Sequence, residues 1–290
     1  MSYPVWQYWE GSTPPAGVQL CMDTVRRHHA NVTIVNAEWV RAHGRKDLLD
    51  ATADHTTAHR ADLIRFWLLS EFGGLWLDTD VIAARPVTIH DALSGDVHLA
   101  CLSHPGRRPE SNLKGFCQSS MIAGVARAEA TREAFARCKR FLATHRRGTF
   151  SWADSSDVVL ESMHLWWTGV GSLTIIPPEQ CYPWLTCGKI GEWHSDAHYA
   201  ASLVGQDRFE AMHLCRSPVM AASKLGREGA LADRSVVGFL FRRAFGLPPD
   251  NSAVPPQPHG GNGRHVLPDP TRRERSQAAR AELLLERTFR

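Results

Sequence analysis

The chain has 290 residues, 43% hydrophobic and 22% charged, with 33 Lys and Arg against 30 Asp and Glu for a net charge of +3. That length can bury a large core without disulfide staples, and six Arg against three Glu in residues 271–290 carry the whole excess, which excludes an extended nucleic-acid surface on the rest. Seven scattered cysteines with no Cys-x-x-Cys pair argue against zinc ribbons and thiol-redox chemistry, and no apolar run approaches the ~20 residues of a membrane-spanning helix.

The first strand is expected near residues 4–9, straight after Met1 and with no signal-peptide pattern. A reducing, cytoplasmic setting follows as an expectation. A helix near 17–29 and a strand near 32–36 come next. Leu63, Ile64, Trp67, Leu68 and Leu69 recur at helical spacing and predict a helix near 59–72. Gly73 and Gly74 stop it, since glycine takes positive φ freely. Leu75-Trp76-Leu77 then reads as a short buried strand near 75–78. Strands near 97–102 and 119–123 and a helix near 130–146 follow. This alternation predicts an α/β fold with flanking helices. A second stretch, about 150–245, is expected to hold helices near 154–166 and 230–245 and strands near 173–176 and 209–214. Residues 248–270 are rich in Pro, Gly and Asn and cannot bury enough apolar surface to order themselves. The expected organisation is a folded unit over 1–247 and a disordered linker and basic tail over 248–290. The tail reads as a solvated segment, with peripheral contact to an acidic membrane surface as the sharper alternative.

The chemistry concentrates between Ala61 and Val81. Asp62 and Arg65 lie three apart and are neighbours on one helical face. Asp78 and Asp80 follow the apolar strand, and alternation puts both side chains on one side of an extended backbone. Ligands of open α/β sheets bind beyond the carboxyl ends of the strands. Mg2+ and Mn2+ favour carboxylates together with substrate phosphates.

The string from Ala61 to Val81 closely resembles the Asp-x-Asp sugar-binding region of glycosyltransferase family 32 and its capsular-polysaccharide-synthesis relatives. The resemblance extends over roughly residues 3–245. It takes in Pro4–Gly11, Val32–Asn36, Gln118–Gly124, Ile175–Glu179, Tyr182-Pro183-Trp184 and Glu210–Leu214. Val170 stands where the family has Pro, and Cys215 where it has Trp. The resemblance implies a GT-A fold, Rossmann-like with a mixed central sheet. It also implies a nucleotide-sugar donor, UDP-linked in this reading, Mn2+ or Mg2+ as cofactor, and transfer with retention. The acceptor can be a glycan, a lipid-linked glycan or a small molecule.

By the same resemblance, Asp80 is the leading direct metal ligand, and Asp78 meets the metal through water or holds the ribose. Asp62 and Arg65 grip the donor sugar, His213 completes the metal site, and Trp6 stacks on the base. No catalytic base is assigned. Asp154 and Asp157 read as helix-capping residues, with acceptor contact as the alternative. Two other readings compete. A haloacid-dehalogenase-like phosphatase also carries Asp-x-Asp after a strand, but Ile82 stands where its motif asks for Thr or Val, and no Asp-Asp pair occurs. A non-catalytic sugar-binding module of the same fold is the second.

Overall fold

The structure is a computed structural model that describes residues 3–103, 117–145, 154–177, 210–214, 216–233 and 235–248. In chain order the elements are β1 (Val5–Tyr8), α1 (Ala16–His28), β2 (Val32–Val35), α2 (Ala37–Ala42), α3 (Lys46–Ala51), α4 (Thr57–Phe72), β3 (Gly74–Leu77) and β4 (Val81–Ala83). A 3-10 turn at Ile89–Ala92 leads to β5 (Val97–Ser103), β6 (Cys117–Gly124), α5 (Glu129–Thr144), α6 (Asp154–Trp166), β7 (Ser172–Ile176), β8 (Ala211–His213), α7 (Arg216–Ala232) and α8 (Val236–Ala244).

Six strands form the central sheet in the order β2-β1-β3-β6-β5-β7. All run parallel except β6, which is antiparallel to both β3 and β5. Alternation along the strands divides the core between the two faces. Leu75, Leu77, Ala100, Leu102, Met121 and Ala123 join the residues of α1, α7 and α8 on one face. Trp76, Leu99, Cys101 and Ile122 join those of α4, α5 and α6 on the other. The mixed α/β class with helices on both faces is therefore as expected.

Helix α4 is capped by Thr56, whose hydroxyl accepts from His59 N. It is buried nearly all round, as a helix packed between the sheet and α5 must be. Gly73 and Gly74 take φ of 64° and 96°. A Cβ on Gly74 would stand 2.3 Å from Pro4 O, so only glycine lets β3 start against β1.

Some expectations change. The helix expected near 230–245 is two helices, because Ser235 caps a new one by accepting from Gly238 N at 3.3 Å. Helices α2 and α3 have six residues each, too short to show a period, and had no counterpart in the sequence reading. Strand β4 has three residues and was hidden for the same reason. The tail beyond 248, Tyr182-Pro183-Trp184, and Cys181, Cys187 and Cys215 lie outside the described residues. Among the described residues no helix is long and apolar enough to cross a membrane.

Candidate active site

Asp78 emerges from the carboxyl end of β3, at the centre of the sheet. Its backbone N–H donates to Ser120 O at 2.9 Å, which anchors the residue on β6. A turn closed by Val81 N and Asp78 O brings Asp80 to the start of β4. Strand β4 pairs antiparallel with β8, matching Val81 with His213. Leu214 N then donates to Asp80 O at 3.0 Å. This two-stranded ribbon is what sets His213 Nε2 3.1 Å from Asp80 Oδ1. Asp78, Asp80 and His213 each offer a ligand atom, and these atoms lie within 4.8 Å of one another. Two carboxylates and an imidazole form a donor set that Mn2+ accepts well.

Arg65 ties this cluster to α4. One guanidinium nitrogen meets Asp78 Oδ1 at 2.7 Å, and the other meets Asp62 Oδ1 at 3.2 Å. The guanidinium also lies over the Trp76 ring, 4.9 Å from its centroid, while the Trp76 indole N–H donates to Asp78 Oδ1 at 2.7 Å. Asp62 and Arg65 are 4% and 3% exposed. Asp62 accepts from Ser155 on one oxygen and from Ser156 on the other, and Ser156 also accepts from Arg65 NH1 at 3.0 Å. The pair expected to grip a sugar thus spends its polar atoms inside the protein. In this structure it supports Asp78 from behind.

The electrostatics follow from burial and pairing. Burial pushes the Asp62 carboxyl up to about 6, against the pull of Arg65. Burial also raises Asp78, with Arg65 opposing and Asp80 adding to the rise. At Asp80 burial is outweighed by His213, so its carboxyl lies below the ordinary range. Arg65 is held above its ordinary value because Asp78 and Asp62 outweigh its burial.

Trp6 is the site candidate that the structure does not bring in. It is 7% exposed, and its indole N–H donates to Gly73 O at 2.8 Å. Its ring packs against Trp39 and Phe72. Trp6 pairs with Trp76, two residues before Asp78, while its indole reaches back to Gly73 at the start of β3. In this structure the ring is packed in the core, and base stacking by Trp6 stands as a proposal.

Gln118, Ser119 and Ser120, near the cluster, had no assigned role in the sequence, whereas Asp157 was read as a helix-capping residue with acceptor contact as the alternative. Because β6 is antiparallel, its amino end lies beside the carboxyl end of β3. Gln118, Ser119 and Ser120 therefore lie beside the end of β3 that leads into Asp78. Gln118 Nε2 stands 3.2 Å from His213 Nδ1, and the Ser119 hydroxyl lies 2.7 Å from that of Ser156. In the sequence these three read only as strand residues. Asp157, in the first turns of α6, accepts from Ser119 N at 3.1 Å. Burial, with Glu161 and Asp62 adding to it, pushes its carboxyl up to about 8.

The Asp157 shift has a testable sign. Below the ordinary carboxylate range the group is protonated in both folded and unfolded chains. As pH rises to about 8 the unfolded chain gives up a proton that the folded one keeps, so stability is lost over that window. Asp62 contributes with the same sign but finishes at about 6. Up to about 6.5 the histidines His28, His29 and His164, with lowered values, act with the opposite sign, and above about 6 Asp157 still lowers stability as pH rises. Asp157→Asn should flatten the pH dependence of unfolding free energy there, as read by urea titration. Parallel slopes in the two proteins would refute the assignment.

Residues 15–97 match the family model described as the glycosyltransferase sugar-binding region containing DXD motif. The match contains Asp62, Arg65, Asp78 and Asp80, and over this segment the resemblance read from the sequence is borne out. Trp6 and His213 fall outside it. No curated protein sequence matches the chain. Among solved structures, the apo bifunctional glycosyltransferase WbbM is 12% identical with a TM-score of 0.48, over 85% of this chain and 50% of that one. The apo form of the glycosyltransferase GlyE of Streptococcus pneumoniae TIGR4 is 12% identical with a TM-score of 0.43, over 75% of this chain and 56% of that one. The PaToxG glycosyltransferase is 11% identical with a TM-score of 0.37, over 98% of this chain and 86% of that one. The chain thus matches only about half the length of the first two.

Proposed function

We propose that this chain, whose residues 15–97 carry a glycosyltransferase sugar-binding region, is a GT-A glycosyltransferase. It moves a sugar from a nucleotide-sugar donor, UDP-linked in this reading, to a glycan, lipid-linked or small-molecule acceptor. The observation that carries the reading is the convergence of Asp78, Asp80 and His213 beyond the carboxyl end of β3. Mn2+ or Mg2+ is the proposed cofactor, and a bound ion supplies positive charge for the departing diphosphate, the kind of stabilisation that usually contributes most to such catalysis.

The chain's own residues prepare that site. Asp78 and Asp80 provide carboxylate oxygens, and His213 provides an imidazole nitrogen. Arg65 and Trp76 both bond Asp78 Oδ1, which leaves its second oxygen to face the ligand. Asp62, Ser155 and Ser156 hold Arg65 in place. Ser119 and Asp157, next to that network, are proposed to border the sugar. Retention rests on the family resemblance and calls for no protein base, because the leaving phosphate can take the acceptor proton. The folded unit is proposed to be residues 1–247, with 248–290 a solvated linker and basic tail and peripheral membrane contact as the alternative. A cytoplasmic setting is proposed from the scattered thiols, four of which, Cys21, Cys101, Cys117 and Cys138, are buried and free.

The deciding experiment is a screen of nucleotide sugars for hydrolysis and transfer with Mn2+. Turnover of a sugar nucleotide supports the proposal. Manganese binding without turnover of any donor would leave a sugar-binding module, and cleavage of simple phosphate monoesters would indicate the phosphatase reading.

The His213 ligand role has its own test. His213→Ala should weaken Mn2+ binding about tenfold or more, which is ~1.4 kcal/mol. Gln118→Leu removes the group that orients the ring through Nδ1, and should cost about tenfold in metal affinity with His213 intact. Calorimetric titration reads both directly. Unchanged affinity in His213→Ala would reduce that residue to a packing role.

A further inference from the structure

The last turns of α1 and α8 are both basic, with Arg26, Arg27 and His28 in one and Arg242 and Arg243 in the other. They meet where His28 Nε2 lies 3.1 Å from Ala244 O. Beside this junction is a cavity of about 390 Å³ lined by Arg85, Phe239, Arg242, Arg243, Gly246 and Leu247. A Cβ on Gly246 would come 3.4 Å from an Arg27 guanidinium nitrogen, so a fourth arginine stands at the rim.

Arg242 is 8% exposed. One of its terminal nitrogens donates to Leu231 O at 2.8 Å and to Asp233 O at 2.6 Å, which pins the side chain. Its Nε is buried with no acceptor among the described residues. Among the described residues Arg27, Arg242 and Arg243 make no ion pair, whereas nearby Arg26 and Arg227 share Asp23. Two carboxylates lie nearby: Asp233 accepts from the Ser235 hydroxyl, and Glu210 from the Thr88 hydroxyl at 2.8 Å. Concentrated cationic charge around a concavity, with Arg27, Arg242 and Arg243 outside any ion pair among the described residues, favours an anion.

The cavity is separate from the candidate active site. The β4–β8 ribbon has Val81 paired with His213 at one end and Ala83 with Ala211 at the other. Asp80 lies before the first end, and Arg85 lies beyond the second. No residue lining the cavity belongs to the Asp78, Asp80 and His213 cluster.

We propose that this cavity binds a phosphate group. Arginine forks match phosphate oxygens in pairs. Leu247, 43% exposed at the mouth, sets an apolar surface beside them. The phosphate can come from an anionic lipid headgroup or from a soluble phosphate compound, and the two sources are separated by experiment.

The full-length protein is titrated with inorganic pyrophosphate in the presence of chelator, in parallel with Asp80→Asn, Arg243→Gln and Arg85→Gln. It is also floated with phosphatidylcholine vesicles with and without phosphatidylglycerol. If the phosphate is soluble, pyrophosphate binds wild type and Asp80→Asn alike and weakens about tenfold in either arginine variant. If it is a headgroup, partition onto phosphatidylglycerol vesicles falls about fivefold for each arginine removed, with the basic tail unchanged. The arginine variants should keep wild-type donor hydrolysis, which shows that they are folded. Arg242→Gln is the less informative choice, because that side chain also pins two backbone carbonyls. The proposal is overturned if neither binding responds to Arg243→Gln and Arg85→Gln, or if pyrophosphate binding disappears in Asp80→Asn.

Discussion

Asp80→Asn should lower sugar transfer by about 10²–10³-fold, the scale on which a single group that stabilises developing charge contributes. The substitution keeps the side chain's shape and removes its charge. Asp80 is the right residue for this test because His213, outweighing burial, holds its carboxyl below the ordinary range, so it carries its charge at neutral pH. Its backbone carbonyl still accepts from Leu214 N in the variant, so the β4–β8 ribbon persists. The amide also relieves the repulsion from Asp78. Folding should therefore survive, and the loss should appear in turnover and in metal affinity. Chelation of the wild type should reproduce the kinetic loss, and Mn2+ should restore it. Full transfer by thoroughly metal-stripped protein would refute the metal-dependent reading.

Arg65→Met should act on stability first. The guanidinium lies between Asp62 and Asp78, its side chain 4% exposed. A thioether of similar length fills much of the volume but leaves two carboxylates with no cation between them. Removing one partner of a buried ion pair costs about 3–5 kcal/mol. For a domain of this size that corresponds to a fall in melting temperature on the order of 10 °C. Arg65→Lys should recover part of the stability, since it restores the charge without the two-pronged reach. A change of only a degree or two in Arg65→Met would mean that the carboxylates share a proton and need no cation. The direct sugar-gripping role would then need independent support.

The sequence alone determined the principal secondary structure, because long apolar periods are local. The helices at 16–28, 57–72 and 129–144 and all the strands of the central sheet appear within a residue or two of their expected positions. The placement of Asp78 and Asp80 was equally legible, since a Gly-Gly stop and a short apolar strand bring two carboxylates to a strand's carboxyl end by chain geometry. Tertiary structure decided the rest. His213 reaches Asp80 only because β8, expected near 209–214, pairs with β4, a three-residue strand too short to carry a readable period. Gln118 and Ser119 enter the site only because β6 is reversed in an otherwise parallel sheet, and strand direction is set by packing between distant segments. Trp6 shows the converse. Its place on β1 was foreseen, but the partner of its N–H, Gly73 O, belongs to another strand's beginning and holds the ring in the core. The arginine cavity likewise exists only because the end of α8 packs beside Arg85, a residue from a distant part of the chain.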